Sequence, residues 1–108
     1  MIRFQPQFVE AILSGSKTQT RRRGPKRWRV GSVHQARTRN RKEPFAYLRI
    51  LDVRQERLGD ISEADARAEC FRSRDEFFAA WRGIYGSAPD MDMQVWVVTF
   101  RVERPGSA

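Results

Sequence analysis

The stretch G15-S-K-T-Q-T-R-R-R-G-P-K-R-W-R29 contains a helix stop, a strand and a turn in fifteen residues. Gly15 suits the left-handed position that ends a helix. KTQTRR alternates and is threonine-rich, which predicts a short strand. Gly24-Pro25 then marks a turn. Seven of the fifteen residues are Lys or Arg and none is acidic. This stretch is therefore a solvated charged run, a nucleic-acid groove or the rim of an active site.

Upstream, QPQFVEAILSG reads as a short helix. Pro6 suits its first position, and Phe8, Ile12 and Leu13 share one face. Downstream, VGSVHQAR reads as a strand entered through a glycine turn, and residues 39–42, RNRK, as a basic loop. FAYLRILDVRQERL alternates from Phe45 onward, the pattern of a half-buried strand. Ser62 caps a helix running through Cys70, with Asp65 at its third position. Ser73 and Glu76 form a capping box for a second helix. Its stripe is Phe77, Phe78, Trp81 and Ile84, and Gly86 ends it. MQVWVVTFRV is apolar on both faces around Val95–Val98, which predicts a central strand. The tail, ERPGSA, is expected to fray.

Helix, several strands, two short helices and a long strand make an α+β order rather than a doubly wound one. A small, mixed, partly closed β-barrel with helices over its openings would hide the strand edges. The 108 residues are expected to form one domain, 1–108, frayed from about residue 104.

The net charge is +8, unevenly placed. Residues 11–42 hold eleven Lys/Arg and no acid; residues 43–108 hold nine Lys/Arg and twelve Asp/Glu. That asymmetry favours a polyanionic partner, RNA or DNA, over an ordinary solvated face. The basic candidates are Arg21, Arg22, Arg23, Lys26, Arg27, Arg29, Arg39, Arg41 and Lys42. Trp28, flanked by arginines, is a base-stacking candidate, with strand packing an equal alternative. Tyr47 is a second, if it points into a barrel mouth.

Other classes are excluded or disfavoured. No apolar run is long enough to span a membrane, and the N-terminus lacks a signal-peptide pattern. One cysteine makes no internal disulfide, which fits a reducing cytoplasm. One His and one Cys give no zinc constellation, so no metal or cofactor is expected. GSKT resembles only the end of a phosphate loop, in a reversed helix–strand context, and is rejected. Cys70 reads as a small buried hydrophobe, and His34 as structural or exposed.

Lys17, followed by Thr18 and Thr20, is either a surface lysine in a basic strand or a catalytic group, and Glu69 is a second candidate. A hydroxyl beside a lysine becomes a nucleophile if the lysine takes its proton, which requires burial or nearby cations to lower the lysine pKa. Lys-x-x-Thr alone is a weak pattern. Glu69, among Ala66, Ala68 and Phe71, is either a shielded general acid or base or a solvated helix carboxylate. Lys17 and Thr20 have opposite parity, so a regular strand would put them on opposite faces. A shared site requires an irregular backbone just after Gly15.

The segments FVEAILSGSKTQTRR, VGS, FAYLRILDV, LGDISEADARAECF, the F…W…Y helix and VWVVTF together resemble an ASCH domain, from about Phe8 to Arg101. The Gly-x-Lys-Thr-x-Thr-x-Arg run is the most specific part. The resemblance implies a PUA-like fold, a small β-barrel flanked by helices, and an association with RNA. One branch of the family is an N(4)-acetylcytidine amidohydrolase, whose catalytic lysine, threonine and glutamate fall at Lys17, Thr20 and Glu69. Another branch cleaves RNA. The sequence departs from the pattern at Gly31-Ser32, where Gly-Asp is common, and at Glu69-Cys70-Phe71, where Glu-Gly-Phe is. The loop 21–29 is also far more basic than a nucleoside enzyme needs. The expected function is an RNA- or modified-nucleoside-binding domain with a candidate Lys/Thr/Glu hydrolase site. The alternative is an RNA-binding module without catalysis.

Overall fold

The computed structural model describes residues 1–104. Its elements are β1 (Ile2–Arg3), a 3₁₀ turn (Pro6–Phe8), α1 (Val9–Ser14), β2 (Gln19–Arg22), β3 (Val33–Arg37) and β4 (Ala46–Arg57). A second 3₁₀ turn (Leu58–Asp60), α2 (Glu63–Ala68), α3 (Arg74–Tyr85) and β5 (Gln94–Val102) follow. The strands form one mixed sheet in the order β1-β3-β4-β5-β2. β1 and β3 are parallel, and the other pairs are antiparallel.

β5 lies between β4 and β2 and is buried on both faces, as its unbroken apolar run predicts. Val98 and Phe100 join Ile2, Phe4, Ile12, Trp28, Leu48 and Ile50 in one core cluster. Val95 points the other way, toward Leu58, Ile61, Ala66, Phe77 and Trp81 under the two helices. β4 does not alternate throughout. Its pairing with β5 shifts register between Ile50 and Asp52, and Leu51 is left exposed at the irregularity. The extra residue flips the parity, so Val53 packs on the core that Leu48 and Ile50 fill.

The α+β class holds, and the barrel is a half-barrel. β1 and β2 are the two ends of the sheet, and no ladder joins them. The seam is crossed instead by a side chain: Arg22 Nη2 donates to the Arg3 carbonyl at 2.7 Å. β1 had no sequence signal, because two residues show no periodicity. Leu13 and Ile84, expected on buried faces, are exposed; Tyr85 rather than Ile84 packs on the α3 core. Glu103 is not frayed. Its N–H donates to the Tyr47 carbonyl at 2.7 Å, and Arg49 holds its carboxylate in a two-pronged pair. The rest of the tail expectation, residues 105–108, lies outside the described residues. No described helix is long and apolar enough to cross a membrane.

Two caps are as the sequence predicts: Ser62 Oγ accepts from Asp65 N–H, and Ser73 Oγ from Glu76 N–H. α2 ends two residues short of the expected point, at Ala68, in a Schellman motif. Phe71 N–H donates to the Ala66 carbonyl and Cys70 N–H to that of Arg67. Cys70 takes the left-handed position with φ 74° and is exposed, not buried. A side chain there strains the backbone, and its exposure means little packing is lost by removing it. Cys70→Gly should therefore stabilise the fold by about 0.5–1 kcal/mol. Chemical denaturation checks this; a lower midpoint in the variant would contradict the strain.

Candidate functional site

The site begins at Gly15, which stops α1 with φ 84°. The chain then leaves the helix and meets β5 only after Lys17, where the Thr18 carbonyl accepts from Phe100 N–H at 3.0 Å. Lys17 N–H donates to the Ala11 carbonyl at 3.0 Å, and Thr18 N–H to the Ala68 carbonyl at 2.8 Å. β2 starts only at Gln19. Lys17 therefore escapes strand parity, and the irregular backbone that a shared site requires is present.

Lys17 is buried at 3% exposure, with its ammonium over the Phe8 ring, 4.7 Å from the centroid. Nζ donates to Glu69 Oε1 and to the Glu69 carbonyl, each at 3.0 Å. The Schellman turn makes this double contact possible, because it turns the last helical carbonyl and the Glu69 side chain toward the same point. Glu69 is equally buried. Its other oxygen, Oε2, accepts from Arg21 Nη1 at 3.0 Å. Both carboxylate oxygens are thus held by basic side chains. Burial pushes the Lys17 ammonium below its ordinary pKa; Glu69 opposes that shift, and nearby Arg22 adds to it.

Arg21 anchors a wider network. Its guanidinium pairs with Glu56 at 2.9 Å, Asp65 at 3.1 Å and Glu69 at 3.0 Å. Arg54 closes the outside, reaching Glu56 at 2.8 Å and Asp65 at 2.9 Å. With Lys17 as an ammonium, Lys17, Arg21 and Arg54 balance Glu56, Asp65 and Glu69. The network is neutral.

Thr20 lies on the opposite face of β2 from Arg21. It is buried, and its Oγ1 accepts from Arg22 Nε at 3.1 Å. It makes no direct hydrogen bond to Lys17 or Glu69. All three line one cavity of about 310 Å³ beside the β1/β2 seam, walled by Phe4, Phe8, Phe71, Trp81 and Tyr85. Arg3 and Arg39 also line it, and Arg3 is a contributor that the sequence did not signal.

The basic residues divide. Arg21 is not part of an open phosphate-binding face: its side chain is fully enclosed among carboxylates. Trp28 is not a stacking platform. It is buried in the sheet core, with the Arg22 guanidinium 6.0 Å above its ring. Tyr47 is exposed and lies outside the cavity, so it does not face a barrel mouth. Arg23, Lys26, Arg27, Arg29, Arg39, Arg41 and Lys42 are exposed. Arg23 stacks on Tyr85 at 3.7 Å, and Lys26 sits over Trp96 at 5.8 Å. Among the described residues, none of these seven pairs with a carboxylate.

Solved structures share this arrangement of elements. An ASCH domain from Lactobacillus crispatus superposes with a TM-score of 0.73 at 20% identity, over 87% of this chain and 69% of that one. An ASCH protein from Zymomonas mobilis gives 0.70 at 17% identity, over 93% and 64%. The fold is that of an ASCH domain. A protein of Enterococcus faecalis has the same fold, with a TM-score of 0.65 at 21% identity, over 89% and 69%. No family model matches the sequence, and no curated protein does. Within this ASCH fold, the helix-stop glycine, the Lys17 loop and the end of α2 are what bring Lys17 and Glu69 together.

The buried network makes Arg21 unlike its basic neighbours. Arg21→Ala leaves three carboxylates short of a cation and should cost about 3–5 kcal/mol. Arg27→Ala, at an exposed residue without an ion-pair partner, should change stability by less than about 0.5 kcal/mol. Urea denaturation of the two variants measures the difference, and equal midpoints would contradict it.

Proposed function

We propose that the cavity binds a base carried by RNA or by a modified nucleoside, and that Lys17, Thr20 and Glu69 hydrolyse an exocyclic amide on it, as in N(4)-acetylcytidine. The observation that carries this reading is a buried lysine–carboxylate pair opening onto an aromatic-lined cavity, with a threonine hydroxyl in the same wall. A cavity of about 310 Å³ lies at the lower end of the range for small-molecule sites. The aromatic walls suit the faces of a base.

In this mechanism the neutral Lys17 amine accepts the Thr20 proton, directly once substrate is bound or through one water. Thr20 Oγ attacks the acetyl carbonyl carbon. The tetrahedral intermediate collapses, the C–N bond breaks, and Lys17 returns the proton to the leaving cytosine amine. Lys17 then takes a proton from water, the hydroxide attacks the ester carbonyl, the acyl C–Oγ bond breaks, and Lys17 returns the proton to Thr20 Oγ as acetate leaves. Glu69 holds the lysine in place rather than supplying a proton, since its two oxygens already accept hydrogen bonds from Lys17 Nζ and Arg21 Nη1.

Lys17 must be neutral to act as base, so kcat/KM should rise with pH and level off above the Lys17 pKa, which burial holds below the ordinary lysine value. A rate that falls through the same range would instead mean that charged Lys17 stabilises the oxyanion. Thr20→Ser should retain acetylcytidine turnover, while Thr20→Val should lower it by roughly 1,000-fold or more. Hydrolysis surviving in Thr20→Val would exclude the nucleophile role. A wild-type protein that turns over no acylated nucleoside or RNA, yet binds RNA, would be a binding module using the same cavity.

A further inference from the structure

Arg22 differs from every arginine of the neutral network. It is partly buried over the Phe4 and Trp28 rings, at 5.0 and 6.0 Å from their centroids. Two of its nitrogens are used on neutral acceptors: Nε on Thr20 Oγ1 and Nη2 on the Arg3 carbonyl. Nη1 makes no hydrogen bond to a described residue, and no carboxylate pairs with the guanidinium. Burial lowers its pKa from the usual arginine range. A desolvated cation without a counter-ion is costly and is relieved by a bound anion.

The rest of the cavity is similarly short of negative charge. Arg3 and Arg39 line it, and among the described residues neither forms an ion pair. The one carboxylate in the lining is Glu69, and Lys17 and Arg21 already occupy both its oxygens. Three guanidiniums therefore stand uncompensated around one cavity. Guanidinium forks match phosphate oxygens in geometry as well as charge.

We infer that Arg22, Arg3 and Arg39 hold a phosphate of the ligand, so that the preferred ligand is a phosphorylated nucleoside rather than a free one. This rests on the reading of the cavity as a base pocket. The phosphate is either the monoester of a mononucleotide or a diester in an RNA chain. Arg22 has a double role, since it also fixes the Thr20 hydroxyl. A phosphate on Nη1 would sit within one guanidinium's width of the reacting threonine.

Calorimetric titration of the intact protein with cytidine, 5′-CMP, 3′-CMP and pentacytidylate tests this. Wild-type protein should bind at least one phosphorylated ligand about 10-fold or more tightly than cytidine. If a mononucleotide suffices, the source is a terminal phosphate; if only the pentamer gains, it is the chain. In the latter case affinity should fall with salt at a log–log slope of about 0.7 per phosphate held. The double variant Arg3→Gln/Arg39→Gln should lose most of the gain. Neither side chain has an ion-pair partner, so the variant keeps its fold, which its thermal midpoint verifies. Equal affinity for cytidine and all phosphorylated ligands would overturn the phosphate subsite and leave the base pocket standing. A gain that persists in the double variant would also overturn it. Failure of every ligand to bind would overturn both readings.

Discussion

The Glu69 carboxylate, held between Lys17 Nζ and Arg21 Nη1, is the contact on which the site depends. It joins the end of α2 to the loop before β2 and to β2 itself, segments about fifty residues apart in sequence. Two charges this deeply buried are expensive on their own, and attraction repays desolvation only with good geometry and further hydrogen bonds. Both conditions are met. Glu69 also offers its carbonyl to Lys17, and Arg21 spreads its charge over Glu56 and Asp65. A lysine at 3% exposure is thereby kept beside a cavity instead of snorkelling to solvent.

The cavity beside that contact follows from incomplete closure of the sheet. A closed barrel of this size fills its interior with side chains. Here β1 is two residues long and cannot form a ladder with β2. The gap is bridged by Arg22 to the Arg3 carbonyl, and the aromatic side chains of the 3₁₀ turn, of α3 and of the segment between α2 and α3 surround the space beside it. The same device covers an exposed strand edge and leaves a guanidinium in the cavity wall.

Much of this was legible in the sequence, for identifiable reasons. Gly15, Ser62, Ser73 and Gly86 signal helix ends by local backbone chemistry, and all four take those places. The apolar run of β5 signals burial on both faces, which needs no knowledge of the partners. The meeting of Lys17 with Glu69 was accessible only through the ASCH resemblance, since no local rule relates positions fifty residues apart. What was not legible depended on tertiary context. Trp28 reads equally as a stacking residue and as sheet packing, and only its place in the core decides for packing. Cys70 reads as buried from its type, but its position is dictated by the turn that ends α2. Arg3 sits in a two-residue strand with no pattern to recognise.

Strand parity decides the fates of two adjacent arginines. Arg21 and Arg22 are chemically identical, consecutive and both inside β2, so composition cannot distinguish them. Alternation sends Arg21 to the α2 face, opposite Val97 in the ladder, where three carboxylates wait. It sends Arg22 to the other face with Thr20, where the neighbours are aromatic rings and carbonyl oxygens. A strand slipped by one residue would send each side chain of β2 to the opposite face and move Thr20 out of the cavity wall. The register is secured by what each arginine finds on its own side. The arginine paired within a carboxylate network and the arginine bonded only to neutral acceptors are thus separated by a single peptide unit.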